Sequence, residues 1–161
     1  MSNLPSLLES TATIRFQDCD PYNHLNNAKY IDYFMNARED QVLEAYGLDI
    51  YNLTLTTGKA WVVAYNQVAY VHPAVLMEKV KITSCIVEVN SRWMTVEFQM
   101  RNSETDRFKS LMWTKFVYAD IRTGGSVHHG EEFMEMFRQV LHPVEAKTFV
   151  ERLGRLRSLS R

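Results

Sequence analysis

One long helical pattern, entered through an acidic loop and followed only by strand patterns until the tail, limits this chain more than any other feature. The helix is expected from Asn26 or Asn27 to about Tyr46. Its polar residues Lys29, Asp32, Asn36, Glu39, Asp40 and Glu44 recur by threes and fours, which puts them in one stripe. The remaining surface, with Tyr30, Ile31, Phe34, Met35, Ala37, Val42 and Leu43, is so apolar that the helix should be mostly enclosed. An asparagine side chain suits the N-cap, and Gly47 is a natural stop. Upstream, Ile14 and Phe16 alternate with Thr13, Arg15 and Gln17, the period of a strand over Thr11 to Gln17. The loop between strand and helix carries Asp18, Asp20, Pro21 and Asn23, and Pro21 biases Asp20 toward extended backbone.

Beyond Gly47, Leu48 to Lys59 is expected to be a mobile connector, marked by Thr54, Thr56, Thr57 and Gly58. Four strands follow: Ala60 to Val71, Lys79 to Val89, Trp93 to Arg101 and Arg107 to Asp120, with Val127 opening a short return strand. In the last long strand Phe108, Met112, Phe116 and Tyr118 are assigned to one face. One helix followed by antiparallel strands is an α+β arrangement rather than a parallel one. The tail holds two helices, one starting at Glu131 and Glu132, where the macrodipole favours acids, and one over about Glu145 to Leu156.

The run from Arg15 to Arg38 contains D-x-D-x-x-x-H-x-N-N at Asp18, Asp20, His24, Asn26 and Asn27, then Tyr30, Tyr33, Phe34 and the pair Ala37-Arg38. This spaced pattern resembles the acyl-CoA thioesterases of the 4-hydroxybenzoyl-CoA thioesterase-like group, relatives of the acyl-ACP thioesterases. The likeness spans roughly Thr11 to Gly125. It implies the hotdog fold, a long central helix wrapped by a curved antiparallel sheet, here with extra C-terminal helices. The expected division is residues 1–130 as the thioesterase domain and 131–161 as a helical extension packed on it. The resemblance implies hydrolysis of an acyl-CoA, or an acyl-ACP, to a carboxylate and a thiol.

By the same resemblance Asp20 is the catalytic carboxylate, either nucleophile or general base. His24 orients it or positions water, and the backbone N–H at Asn27 faces the thioester oxygen. A helix start supplies unpaired N–H groups and a positive dipole end for such an oxyanion. Asp18 shapes the loop, and Tyr30 belongs to the core. Tyr22, Asn23 and Arg92 are candidate substrate contacts; Lys109 and Lys115 are further cations for CoA phosphates. Two departures stand out. Asn23 occupies a position that is often Gly, and Asn is the best non-Gly residue for φ above zero. Met35 and Asn36 stand where many members carry Glu. The rival readings are a hotdog protein that binds acyl carriers without hydrolysis, and a hydratase, against which the motif spacing argues. Trp61, Tyr65 and Trp113 are read as core, with acyl-pocket lining as the alternative.

Composition sets bounds. At 161 residues one domain is expected, and a net charge of −1 gives no pull toward nucleic acid. No signal peptide or membrane span is expected. Two cysteines make no disulfide framework, so a cytoplasmic setting is the default. Cys19, flanked by two acids, should be a poor nucleophile. The resemblance implies no cofactor and no metal, and a homodimer or homotetramer with sheets joined edge to edge and the site at the interface.

Overall fold

The computed structural model describes residues 3–160. Strands β1 (Leu8–Thr13), β2 (Lys59–Tyr70), β3 (Lys79–Val89), β4 (Trp93–Asn102) and β5 (Phe108–Asp120) form one antiparallel sheet in the order β1-β3-β4-β5-β2. Helix α1 (Tyr30–Tyr46) is preceded by a 3₁₀ turn over Asn27–Lys29 and stops at Gly47, which has a left-handed φ of 64°. It buries Tyr30, Phe34, Ala37, Gln41 and Val42, a single stripe at helical spacing. That stripe packs on Ile82, Val96, Phe98, Met100 and Met112 of the sheet, with the Phe34 and Phe98 rings 5.5 Å apart. The buried stripe is narrower than the helix composition suggests. Met35 is only half-buried and Leu43 is exposed.

Several elements differ from expectation. Strand β1 starts and ends earlier, because Leu8 to Thr13 pair with Ser84 to Lys79. The chain then turns through a 3₁₀ turn at Phe16–Asp18, which leaves Phe16 77% exposed. The connector after Gly47 is a helix, α2 (Ile50–Thr57). Asp49 caps it through Asn52 N–H at 2.9 Å, and Gly58 ends it at a φ of 69°. Its threonines would compete with the backbone, but Thr54, Thr56 and Thr57 donate to carbonyls four residues back. Val127 forms no strand: Ala119 and Ser126 make one bridge, and Val127 N–H donates to Tyr118.

Phe108 also changes sides. The β4–β5 register slips at Lys109, pairing Met100 with Ser110 but Arg101 with Phe108. This bulge turns Phe108 away from Met112, and it packs on the outer face with Leu111 and Trp113. The last helix, α4 (Phe149–Leu159), covers that outer face through Phe149 and Leu156 and begins at a Thr148 cap, later than expected. Helix α3 (Glu131–Val140) closes the inner layer instead, with Phe133, Met136 and Phe137 against the α1 core.

Candidate active site

The loop from Asp18 to Asn26 is closed at its base, where Asn26 N–H donates to the Asp18 carbonyl at 2.9 Å. Cys19 and Leu25 pair as a bridge, and Asp20 N–H donates to His24 O at 2.8 Å. The turn at its tip needs a left-handed residue, and Asn23 supplies it at a φ of 61°. The loop is locked to the core by Leu25 N–H to Ala74 O and Leu76 N–H to Asn23 O.

Within it the Asp20 carboxylate is held by one oxygen. Oδ1 accepts from Tyr22 N–H at 2.9 Å and His24 N–H at 3.1 Å. Among the described residues Oδ2 has no hydrogen-bond partner, nor has the half-buried His24 ring. Asp18 accepts from the Tyr33 hydroxyl at 2.7 Å, and Tyr33 in turn accepts from Arg15 N–H, so Asp18 is a loop brace. Burial, then the Asp18 acceptor, pushes the Tyr33 phenol up to about 12. Cys19 is raised by burial first and then by Asp18 and Asp20, which keeps it a thiol.

Asn26 is the cap, its side chain accepting from Ala28 N–H at 3.0 Å. Asn27 opens the helix, and its N–H has no acceptor among the described residues. Its carbonyl accepts from the Tyr70 hydroxyl at 2.9 Å, which ties the helix start to the far end of β2. Tyr22 is 80% exposed on the loop.

Arg92 lies elsewhere. It accepts from Tyr118 N–H, and Tyr118 pairs with Trp61 at the start of β2. Nine residues of strand, about 30 Å, separate that end from Tyr70. The Arg92 guanidinium donates to Ser126 O at 2.7 Å and faces His128 Nε2 at 3.1 Å. Lys109 is committed to Glu78 at 2.8 Å, and Lys115 stacks over Trp93 at 4.1 Å.

A cavity of about 580 Å³ opens at that other end. Met35, Arg38, Val42 and Tyr46 of α1, Ile50 of α2, Ala60, Trp61 and Val63 of β2, and Phe137 of α3 are among its walls. No residue of the Asp20 loop lines it. Trp61 thus joins a pocket, whereas Trp113 packs on Phe149 and Tyr65 is exposed. Among the described residues the buried Trp61 indole N–H has no hydrogen-bond partner, nor has His129 Nε2 nearby. Sequence patterning offered no sign of this cavity, since its walls come from seven elements.

A helix clasped by an antiparallel sheet, with a fixed carboxylate at the helix start, defines the hotdog-fold thioesterases. The chain belongs to the thioesterase-like superfamily, whose family model matches residues 14–149. That match runs past α3, further than the residues that carry the likeness in the sequence. The chain is 28% identical over 134 residues to the long-chain acyl-CoA thioesterase FadM of Escherichia coli strain K12, covering 83% of this chain and 99% of that one. A hypothetical protein of Staphylococcus aureus solved in complex with CoA superposes with a TM-score of 0.79 at 16% identity, covering 96% of each chain. A 1,4-dihydroxy-2-naphthoyl-CoA thioesterase from Synechocystis gives a TM-score of 0.75 at 12% identity, covering 85% of this chain and 99% of that one.

Proposed function

We propose that this thioesterase acts on acyl-CoA, with Asp20 as its catalytic carboxylate. The observation that carries the reading is the Asp20 geometry: Oδ1 is fixed by two backbone N–H groups while Oδ2 is free, on a loop closed onto an open helix N-terminus. As general base, Oδ2 takes a proton from water, and the oxygen adds to the thioester carbonyl carbon. The oxyanion is met by the Asn27 N–H and the helix dipole. The C–S bond then breaks, and the departing sulfur takes the proton to leave as thiol. As nucleophile, Oδ2 itself adds to the carbonyl, expels the thiolate and forms a mixed anhydride that water opens. His24 serves either route by positioning water. The acyl-CoA preference is supported by the FadM likeness and by the fold shared with a CoA-bound protein.

The chain acts as a homodimer, with a tetramer of two such dimers as the larger form. Strand β2 is a sheet edge whose Val62, Val63 and Tyr65 are exposed. Antiparallel pairing of two β2 strands about their middle brings the Trp61 end of one copy to the Tyr70 and Asn27 end of the other. The cavity and Arg92 of one copy thereby meet the Asp20 loop of the other, where Tyr22 and Asn23 form the rim. The same pairing covers an edge that is otherwise an aggregation hazard. No helix of the described chain is long and apolar enough to cross a membrane, and Cys19 and Cys85 are free thiols, which fits a cytoplasmic enzyme.

Thiol release from a panel of acyl-CoAs tests the reading. Asp20→Asn should lower kcat by about 100-fold or more while the circular dichroism spectrum stays unchanged. Unaltered turnover in that folded variant would move the catalytic carboxylate elsewhere. Tight acyl-CoA binding with no turnover by the wild type would make the protein an acyl carrier binder.

A further inference from the structure

Arg38 is the unusual residue of the cavity. It sits mid-helix on α1 and lines the cavity beside Met35, Val42 and Trp61. It donates to Ser84 Oγ at 2.9 Å and also interacts with the Tyr46 hydroxyl, while Ser84 in turn donates to Gln41 Oε1. No carboxylate pairs with it among the described residues. One turn back, at the position from which an acid would reach it, stands Met35. Its titratable neighbours are Tyr46 and Cys85, and both are neutral at pH 7. Burial pushes the Cys85 thiol up to about 12 and raises the Tyr46 phenol. Burial likewise lowers Arg38 from its usual value. Glu39 also touches the cavity, at its mouth, where it accepts from the exposed Tyr51 hydroxyl at 2.8 Å.

A half-buried guanidinium lining an apolar cavity without a carboxylate partner favours an anionic ligand, because charges shielded from water are held by partners. Cavities of this size usually carry a few polar groups that fix a ligand's orientation. Within the apolar part of the cavity the charged donor is Arg38, whose guanidinium has no carboxylate partner among the described residues. A purely hydrocarbon chain would leave that guanidinium without an anion.

We propose that the cavity selects acyl groups that bear a carboxylate at the end remote from the thioester, with Arg38 as the residue that reads that carboxylate. The carboxylate supplies the missing anion, accepts in pairs from the planar guanidinium fork, and leaves the methylene chain on the apolar walls. The substrate class is thus the mono-CoA thioester of an aliphatic dicarboxylic acid. The thioester chemistry, and delivery of the acyl chain to this cavity across the dimer, rest on the reading above; binding of a carboxylate by Arg38 does not.

The experiment compares dodecanoyl-CoA, ω-hydroxydodecanoyl-CoA and the mono-CoA thioester of dodecanedioic acid, with octanoyl and hexadecanoyl counterparts. Wild-type kcat/KM should favour the ω-carboxyl substrate over the methyl-ended one by about tenfold or more. Arg38→Met should abolish or invert that ratio while dodecanoyl-CoA turnover persists, and Arg38→Lys should keep part of it. A ratio is not moved by a purely structural loss. If Arg38→Met does not fold, Arg38→Lys and Trp61→Phe carry the comparison. Equal or faster turnover of the methyl-ended substrate at every length overturns the proposal and leaves the thioesterase intact. A preference for the ω-hydroxyl substrate alone also overturns the carboxylate assignment. If no thioester is turned over, titration calorimetry with free dodecanedioate decides. Binding lost in Arg38→Met supports the cavity assignment, and no binding overturns it.

Discussion

Asn23 is where the Asp20 loop depends on one residue's backbone. Its φ of 61° is open to Asn at small cost and to β-branched residues at a large one. Its neighbours Tyr22 and His24 provide the N–H groups that fix Asp20 Oδ1. Asn23→Gly should therefore keep both stability and turnover. Asn23→Val should cost about 1–2 kcal/mol and lower kcat by loosening the carboxylate, with KM less affected. Urea midpoints and thiol-release kinetics on the three proteins check this; a fully active Asn23→Val would show that the loop tip does not set the Asp20 geometry. At this scale the sequence was most informative. Asp20, Asn23, the Asn26 cap and the Asp18 brace all depend on partners within about one turn or on a nearby tyrosine. Arg38 was not legible as a cavity residue, because what it bonds and what it lacks are set by Ser84, Tyr46 and Cys85, brought together only by the sheet.

At the scale of elements, the sequence showed α1 and the four later strands, whose apolar periods are long. It missed α2, where three threonines and Gly58 weighed toward a loop. The Asp49 cap three residues before Asn52 and the Gly58 stop were the usable signals. The docking of α4 was illegible for another reason. It turns on Glu97, a residue that alternation alone assigns to the solvent side of β4 and that is 2% exposed. Arg152 of α4 reaches it through two hydrogen bonds of 2.8 Å, with Trp113 Nε1 and Gln99 Nε2 supplying two more. Burial raises the Glu97 pKa, and these donors outweigh it, so the carboxyl is held below its usual range. A carboxyl lowered on folding stabilises the protein above its unfolded pKa, and that stability is lost as pH falls through the folded value. In Arg152→Met the strongest donor is gone and burial remains. The variant should be about 3–5 kcal/mol less stable at pH 7. With Glu97 then raised, it should regain stability as pH falls from 7 to 5, a window in which the wild-type Glu97 contribution stays constant. Urea midpoints at the two pH values test the sign, and parallel profiles would show that Arg152 is not what keeps Glu97 ionised.

For the whole molecule, the decisive fact is that one chain holds its fixed carboxylate at one end of β2 and its cavity at the other. Asn27 touches Tyr70, whereas Ala60, Trp61 and Val63 wall the cavity. On the proposed function, an acyl thioester reaches both only where a second copy lays its strand antiparallel beside the first. The sequence displayed Ala60 to Val71 as a strand, with Trp61 and Tyr65 read as core; only the sheet order shows that this strand is an edge, with Val62, Val63 and Tyr65 turned outward. In a twofold antiparallel pairing centred on the strand, Tyr65 lies near its own copy. Tyr65→Asp then sets two like charges together, which opposes pairing directly, while leaving the Asp20 loop and the α1 core untouched. Light scattering should show the variant at half the wild-type mass, with turnover down by about tenfold or more because no second copy offers its cavity. Monomers that keep full turnover would mean that each copy completes its own site and that the cavity of one copy does not serve the Asp20 of another. An unchanged mass would place the interface on some surface other than β2, and the exposed strand would then need a different cover.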